Sequence, residues 1–222
     1  HGLLATGWQV MTEFFPRFEQ ELIREGAEVG DSTGDGLWFQ NGGYLVQTES
    51  KLRAALMSRP RLESKVRARV LALANVTARD NCDVLRLLTN ENKNRVTGVR
   101  IQKRDEGSSE ESLYADLIVD ATGRGSRSPA WLETLGYAKP ECSEIKINMR
   151  YASRPYHRNA NDLNGNTHLI VAPNAPHQKR GGVLLAQEDG RWIVTLLGMV
   201  GENVPTDEAG FLEFARSLPT PD

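Results

Sequence analysis

Apolar residues recur at helical spacing over residues 3–26, with Leu3, Leu4, Val10 and Phe14 followed by Phe18, Leu22 and Ile23. A period near 3.6 marks an amphipathic helix. Pro16 interrupts the run, so two short helices or one kinked helix are expected, with Gly26 as the stop. The clearest helix is expected over residues 58–73. There Leu62, Val66 and Val70 fall at i, i+4 and i+8, and Leu73 follows on the same side, opposite a basic face. Between these segments, glycines at 34, 36, 42 and 43 surround Leu37-Trp38-Phe39, which predicts a short strand, and residues 44–47 another.

Residues 76–79, 83–89 and 95–103 have strand-like spacing, and Asn-Glu-Asn-Lys-Asn joins the last two as a hairpin. Residues 104–112, RDEGSSEES, read as a solvated loop. Residues 113–121 predict a strand. Its closing Leu117-Ile118-Val119 does not alternate, so it should be covered on both faces as in a parallel sheet. A helix follows, with Ser128 as N-cap, Pro129 at its first position and Gly136 as its end. From Cys142 the pattern becomes mostly antiparallel sheet. Strands are expected over 145–151, 168–171, 183–187 and 192–197, with Glu188-Asp189-Gly190-Arg191 as a hairpin turn. Residues 207–217 form a closing helix with Phe211, Phe214 and Ala215 on its apolar face.

Composition narrows the function classes. With 222 residues, 39% of them hydrophobic, the chain suffices for one large domain or two small ones. Its 27 basic and 29 acidic residues create no global basic field, so nucleic acid is not an expected partner. No apolar run approaches the ~20 residues of a membrane span. Cys82 and Cys142 are isolated in sequence, which gives neither a zinc spacing nor a disulfide framework. A cytoplasmic setting is the expectation. The chain opens on His1 rather than methionine and closes in Pro219-Thr220-Pro221-Asp222, so it reads as a fragment of a longer protein.

Two stretches stand out chemically. In Ser58-Arg59-Pro60-Arg61-Leu62-Glu63, two arginines occupy the first turn of a helix, where the macrodipole disfavours cations by ~0.3–1 kcal/mol each. A phosphate there would reverse the sign. Equally, the arginines could point into solvent or pair with the acidic first helix, where Glu13, Glu19, Glu21, Glu25 and Glu28 outnumber Arg17 and Arg24. In Leu117-Ile118-Val119-Asp120-Ala121-Thr122-Gly123-Arg124-Gly125-Ser126-Arg127, a strand ends in a carboxylate and then in glycines that let a ligand approach the backbone. Asp120 could accept from a ribose hydroxyl or from Arg127, or cap its own turn. A phosphate-binding loop with a terminal lysine is absent, which disfavours simple ATP or GTP hydrolysis. The histidines at 1, 157, 168 and 177 lack ligand spacing, so no metal site is expected. Ser126 lacks the second glycine of a nucleophile elbow. Trp38, Trp131 and Trp192 are expected in cores, and Tyr151, Arg154 and Tyr156 on a sheet edge could line a pocket.

The order and spacing of these two stretches, with His1-Gly2-Leu3-Leu4 before them and Trp131-Leu132-Glu133 to Gly136-Tyr137 after, resemble the middle of FAD-dependent monooxygenases of the para-hydroxybenzoate hydroxylase type. The resemblance implies an α/β fold. A partial FAD-binding three-layer ββα domain would be built from residues 1–27 and 58–141. A mostly antiparallel substrate-domain sheet would come from 28–57 and 142–205, and a helix and linker from 206–222. It implies that Arg59 reaches the FAD phosphate or ribitol, that Val84 lies by the adenine, and that Asp120, Ala121, Gly123 and Arg127 lie near the FAD pyrophosphate and the nicotinamide. NAD(P)H would reduce the flavin, and a hydroperoxyflavin formed with O2 would hydroxylate or epoxidise an aromatic or alkene substrate. The opening Gly-x-Gly-x-x-Gly unit and the later Gly-Asp motif of that family are missing, so the chain alone is expected neither to retain FAD nor to be active, and apolar edges should remain. A flavin-dependent reductase or halogenase of the same fold is an alternative, the halogenase lacking its Trp-x-Trp-x-Ile-Pro stretch here. A noncatalytic nucleotide- or ligand-binding module is another.

Overall fold

The computed structural model describes residues 2–220. His1, where the resemblance opens, and the last two residues of the expected linker lie outside the described residues. The chain forms two compact units, one of residues up to 73 together with those from 146 onward, the other of residues 74–145.

The first unit starts with strand β1 (Gly2–Leu3) and two helices, α1 (Ala5–Phe14) and α2 (Phe18–Arg24). The break falls at Pro16 as expected, and Arg17 completes it in the left-handed region at φ 62°. Strands β2 (Glu28–Asp31), β3 (Gly36–Gln40), β4 (Gly43–Tyr44) and β5 (Arg53–Leu56) lead to helix α3 (Arg59–Leu71). A small antiparallel sheet has the order β1-β5-β2. Trp8, Phe18, Leu22, Ala55, Met57 and Leu62 pack together beside it, whereas Leu4, Val10, Phe14 and Ile23 of the expected apolar face are exposed, so only part of the helical periodicity of α1–α3 serves this core. Burying a side chain such as Phe18, Leu22 or Met57 contributes ~1.5–3 kcal/mol. The strand expected over 44–47 shrinks to the two residues of β4, and Val46 is 85% exposed.

The second unit is a three-stranded antiparallel meander, β6 (Cys82–Thr89), β7 (Val96–Lys103) and β8 (Glu110–Tyr114), followed by helix α4 (Ser128–Thr134). The hairpin between β6 and β7 is as expected. Two expectations are corrected. Residues 76–79 form no strand, and the last part of the supposed solvated loop belongs to β8. The strand expected through residue 121 stops at Tyr114, and Leu117 and Val119 are 77% and 76% exposed rather than covered on both faces. An apolar run becomes a buried strand only between partner strands, and beyond Ala115, whose N–H still reaches the Thr97 carbonyl of β7, no described strand pairs with residues 116–121.

The chain then returns to the first unit with β9 (Arg150–His157), β10 (His168–Val171), β11 (Arg180–Gln187), β12 (Arg191–Gly198) and helix α5 (Glu208–Arg216). They extend β3 and β4 into a six-stranded sheet of order β4-β3-β10-β11-β12-β9, antiparallel except between β3 and β10. Strand β9 begins five residues later than expected because its partner β12 ends at Gly198, opposite Arg150, leaving Ile145 89% exposed. The turn between β11 and β12 holds Asp189 and Gly190 at φ 62° and 61°, the doubly positive geometry of a tight hairpin. Asp207 caps α5 by accepting from the Gly210 N–H at 2.9 Å, and Phe211 and Phe214 are buried against Leu196 and Val204.

Candidate functional site

The start of α3 is already supplied with anions. Ser58 is the N-cap, its hydroxyl accepting from the Arg61 N–H. The Glu188 carboxylate, 2% exposed and brought from the β11–β12 turn, accepts from the Ser58 N–H at 2.8 Å and from the Ser58 hydroxyl. Arg61 pairs with Glu25 at 3.1 Å and Asp189 at 3.3 Å, and its Nε lies 3.9 Å from Glu188. Lys65 also reaches Glu25, at 2.7 Å. Carboxylates of the same chain therefore reverse the unfavourable dipole term. Burial raises the Glu188 carboxyl pKa, but the Ser58 bonds and the Arg61 charge outweigh it, and the net direction is downward. Arg59 differs from Arg61. It points outward, 72% exposed, with only an i,i+4 pair to Glu63 at 2.8 Å, which in exposed positions is worth about 0.3–0.5 kcal/mol.

In the second unit, Asp120 caps its own loop. It accepts from the Thr122 N–H at 2.9 Å, the Thr122 hydroxyl at 2.5 Å, the Ser126 hydroxyl at 2.7 Å and the Ser128 hydroxyl. The Ser128 bond foremost, then those from Thr122 and Ser126, hold its carboxyl far below the usual range. Arg127 lies over the Trp131 ring, 5.5 Å from the centroid. Gly123 sits at φ 65°, and a Cβ added at Gly123 or Gly125 would meet nothing within 4 Å, so this backbone is open. Val84, on β6 opposite Ile101, is 40% exposed, and Ala121 lies in the unpaired segment. Arg59 belongs to the first unit and the other expected cofactor residues to the second.

A cavity of about 400 Å³ lies within the first unit, where the β1-β5-β2 sheet meets β3, β10 and β11. Leu4, Trp38, Leu56, Ile170, Val183 and Leu185 give it an apolar wall. Trp38 is 41% exposed and faces this space rather than a core, unlike Trp192 at 3%. His168 opens β10 opposite Gly36, and a Cβ at Gly36 would stand 2.0 Å from its Nε2. Glycine there lets the imidazole lie across the neighbouring strand. Burial foremost lowers the His168 pKa, against the Ser32 backbone and Asp35, which raise it, so the ring is neutral near pH 7. Asp31, at the end of β2, accepts from the Thr33 and Gly34 N–H groups and from Ser50 and Lys51, tying the 50–51 segment to the cavity rim. Among the described residues no group of histidine, cysteine or carboxylate side chains is arranged to hold a metal, and no helix is long and apolar enough to cross a membrane.

Sequence reasoning did not single out Glu188 or His168. Glu188 reads as a turn residue, and Ser58 lies 130 positions away. The one local signal for His168 is an imidazole heading a four-residue apolar strand. Tyr156 and Arg154 pack on Phe211 of α5 instead of lining this cavity.

No protein-family model matches the chain. Protein Rv3254 of Mycobacterium tuberculosis is 33% identical over 216 residues, spanning 92% of this chain and 44% of its own length. The chain thus spans about half of that relative. Among solved structures, PqsL of Pseudomonas aeruginosa, described as a probable FAD-dependent monooxygenase, superimposes with a TM-score of 0.67 at 14% identity over 89% of this chain and 50% of PqsL. The flavin-dependent brominase Bmp2 superimposes with a TM-score of 0.56 at 12% identity over 85% of this chain and 43% of Bmp2. The chain is a mixed α/β arrangement with several antiparallel sheets, and over the part it covers it shares the fold of these two proteins.

Proposed function

We propose that the chain is part of an FAD-dependent monooxygenase that uses NAD(P)H and O2 to hydroxylate or epoxidise a small aromatic or alkene substrate, and that the 400 Å³ cavity holds this substrate. The observation that carries the reading is a largely apolar cavity with few polar groups, the usual form of a small-molecule site, inside a fold shared with flavin monooxygenases.

The residues present fit part of a flavin site. Arg59 is exposed and held only by a weak pair, so its guanidinium is available to a phosphate. The backbone at Gly123 and Gly125 is clear of neighbours and suits close approach by a ligand. The helix end behind Arg59 does not suit a phosphate, because Glu188 fills it. In this reading Arg59 holds the phosphate or ribitol, Val84 borders the adenine, and the backbone of Ala121 and Gly123 with the Arg127 charge faces the pyrophosphate side. Asp120 acts by fixing the loop. When bound, FAD would supply the redox and oxygen-activating chemistry. The protein's contribution at the cavity is to orient substrate and exclude water through Leu4, Trp38, Leu56 and Ile170, with a neutral His168 as the polar landmark.

The test is flavin content of the full-length gene product. It is expected to purify with absorbance near 450 nm or to acquire it with added FAD, and Arg59→Ala is expected to weaken retention by about ten-fold, the loss of one charge-assisted contact. A protein that stays colourless with excess FAD refutes the reading, and unchanged FAD affinity in the variant refutes the role of Arg59.

A further inference from the structure

Strand register fixes a tryptophan on the cavity wall. Leu37 and Phe39 of β3 pack with Leu169 and Val171, so alternation turns Trp38 to the opposite face, in a cross-strand row with Ile170 and Val183. The other side-chain donors of the wall are engaged. The Ser32 hydroxyl donates to the Leu52 carbonyl at 2.6 Å, the Thr33 hydroxyl to the Thr48 carbonyl at 2.6 Å, and the Thr167 hydroxyl to the Asp35 carbonyl at 2.9 Å. His168 meets the Thr167 hydroxyl at 3.2 Å and the Ser32 backbone. The carboxylates are engaged as well. Asp31 accepts from Thr33, Gly34, Ser50 and Lys51, and Glu28 pairs with Arg158. The Trp38 indole N–H has no partner among the described residues, which makes it the uncommitted side-chain donor of the wall.

We propose that Trp38 sets the specificity of this cavity, its indole N–H donating to a carbonyl oxygen on an aromatic ligand, so that an aryl ketone gains an interaction here that the alkene of the same shape does not. The proposal rests on the reading of the cavity as a substrate site only in calling the ligand a substrate. Trp38 is 41% exposed, so water serves its N–H until a ligand covers it. A hydrocarbon laid over it removes that water and returns nothing, and a covered donor without an acceptor is costly. A carbonyl oxygen takes the place of the water. It also brings no O–H of its own to be satisfied by carboxylates that are already engaged. The first turn of α1, at Leu4 and Ala5 of the wall, has no side-chain cap, and its backbone N–H groups favour an acceptor-bearing ligand in the same sense. The indole ring adds the preference for an aromatic ligand, which stacks on its face or meets its edge.

The experiment compares acetophenone with α-methylstyrene, in which a methylene group replaces the carbonyl oxygen at nearly unchanged shape. Both are titrated into the full-length protein and followed by ligand-observed NMR. Trp38→Phe keeps an aromatic ring and removes the N–H, so it should weaken acetophenone by about five-fold, the worth of one hydrogen bond, and leave α-methylstyrene within about two-fold. Trp38→Leu removes the ring and should weaken both. With isotope-labelled indole nitrogens, the Trp38 signal, assigned by its loss in Trp38→Phe, should move downfield with acetophenone and not with α-methylstyrene. Equal effects of Trp38→Phe on the two probes, an indole signal that acetophenone leaves in place, no effect of Trp38→Leu, or no binding of acetophenone by the parent overturns the proposal. The outcome separates from the flavin reading. A colourless protein with the acetophenone-specific effect refutes the flavin assignment alone, and a flavoprotein without that effect refutes this proposal alone.

Discussion

Removing the Glu188 carboxylate tests how the start of α3 is held. Glu188→Ala deletes two charge-assisted hydrogen bonds to Ser58, each worth about 1.5–3 kcal/mol, and leaves the Ser58 N–H without its partner. Two effects offset part of that loss. The carboxylate no longer has to be buried at 2% exposure. Arg61 keeps Glu25 and Asp189, and Arg191 keeps Asp189 at 3.1 Å. The net expectation is a loss of about 3 kcal/mol, at the low end for breaking a buried charged pair. Glu188→Gln retains the volume and one acceptor and should cost about 1–2 kcal/mol. With a urea m-value of about 2 kcal/mol/M, Glu188→Ala lowers the denaturation midpoint by about 1.5 M. Tryptophan fluorescence reports this directly, because Trp8 and Trp192 are buried in the same unit. A lowered folded-state pKa means the stabilisation is present above the ordinary glutamate value of 4.5 and is lost as pH falls through the folded value. The stability gap between parent and Glu188→Gln should therefore close in acid. A midpoint within about 0.2 M of the parent at neutral pH would show that the buried carboxylate does not hold the helix start.

Three further outcomes follow from the geometry. Gly36→Ala puts a Cβ 2.0 Å from the His168 ring and should destabilise by about 1–3 kcal/mol; a neutral substitution in thermal melting would contradict the packing. His168 has a folded pKa below its ordinary 6.5, so its effect on stability is favourable above that value and is lost as pH falls through 6.5 toward the folded value. His168→Gln should remove that part of the pH dependence, and proton NMR titration of the ring should give an acid-shifted midpoint; a midpoint at or above 6.5 would contradict it. Asp120→Ala should accelerate amide exchange at Thr122, whose N–H it holds at 2.9 Å, and unchanged exchange would show that the loop stands without its cap.

The parts of this fold legible in the sequence are those whose determinants are local. The 3.6 period of Leu62, Val66 and Val70 marked α3, Pro16 marked the break between α1 and α2, and Asp189-Gly190 marked the β11–β12 turn. Residues 115–121 misled because an apolar run specifies a preference for burial and not the strands that would satisfy it. The alternative of Asp120 as a cap was readable, since Thr122, Ser126 and Ser128 all lie within eight residues. The anion at the α3 start was readable in sign but not in source. Glu25 was visible as a candidate partner for Arg61, whereas Glu188 arrives through the register of β11 with β12. The cavity itself escaped sequence reading, because its wall is contributed by short strands from both ends of the first unit.

The most direct test of the account is the flavin itself. The full-length gene product, titrated with FAD and followed at 450 nm, should bind close to one equivalent, and the bound flavin should be bleached by NADH or NADPH and recover with oxygen. Protein that is folded by circular dichroism and yet takes up no FAD would contradict the monooxygenase reading and leave a ligand-binding module in its place.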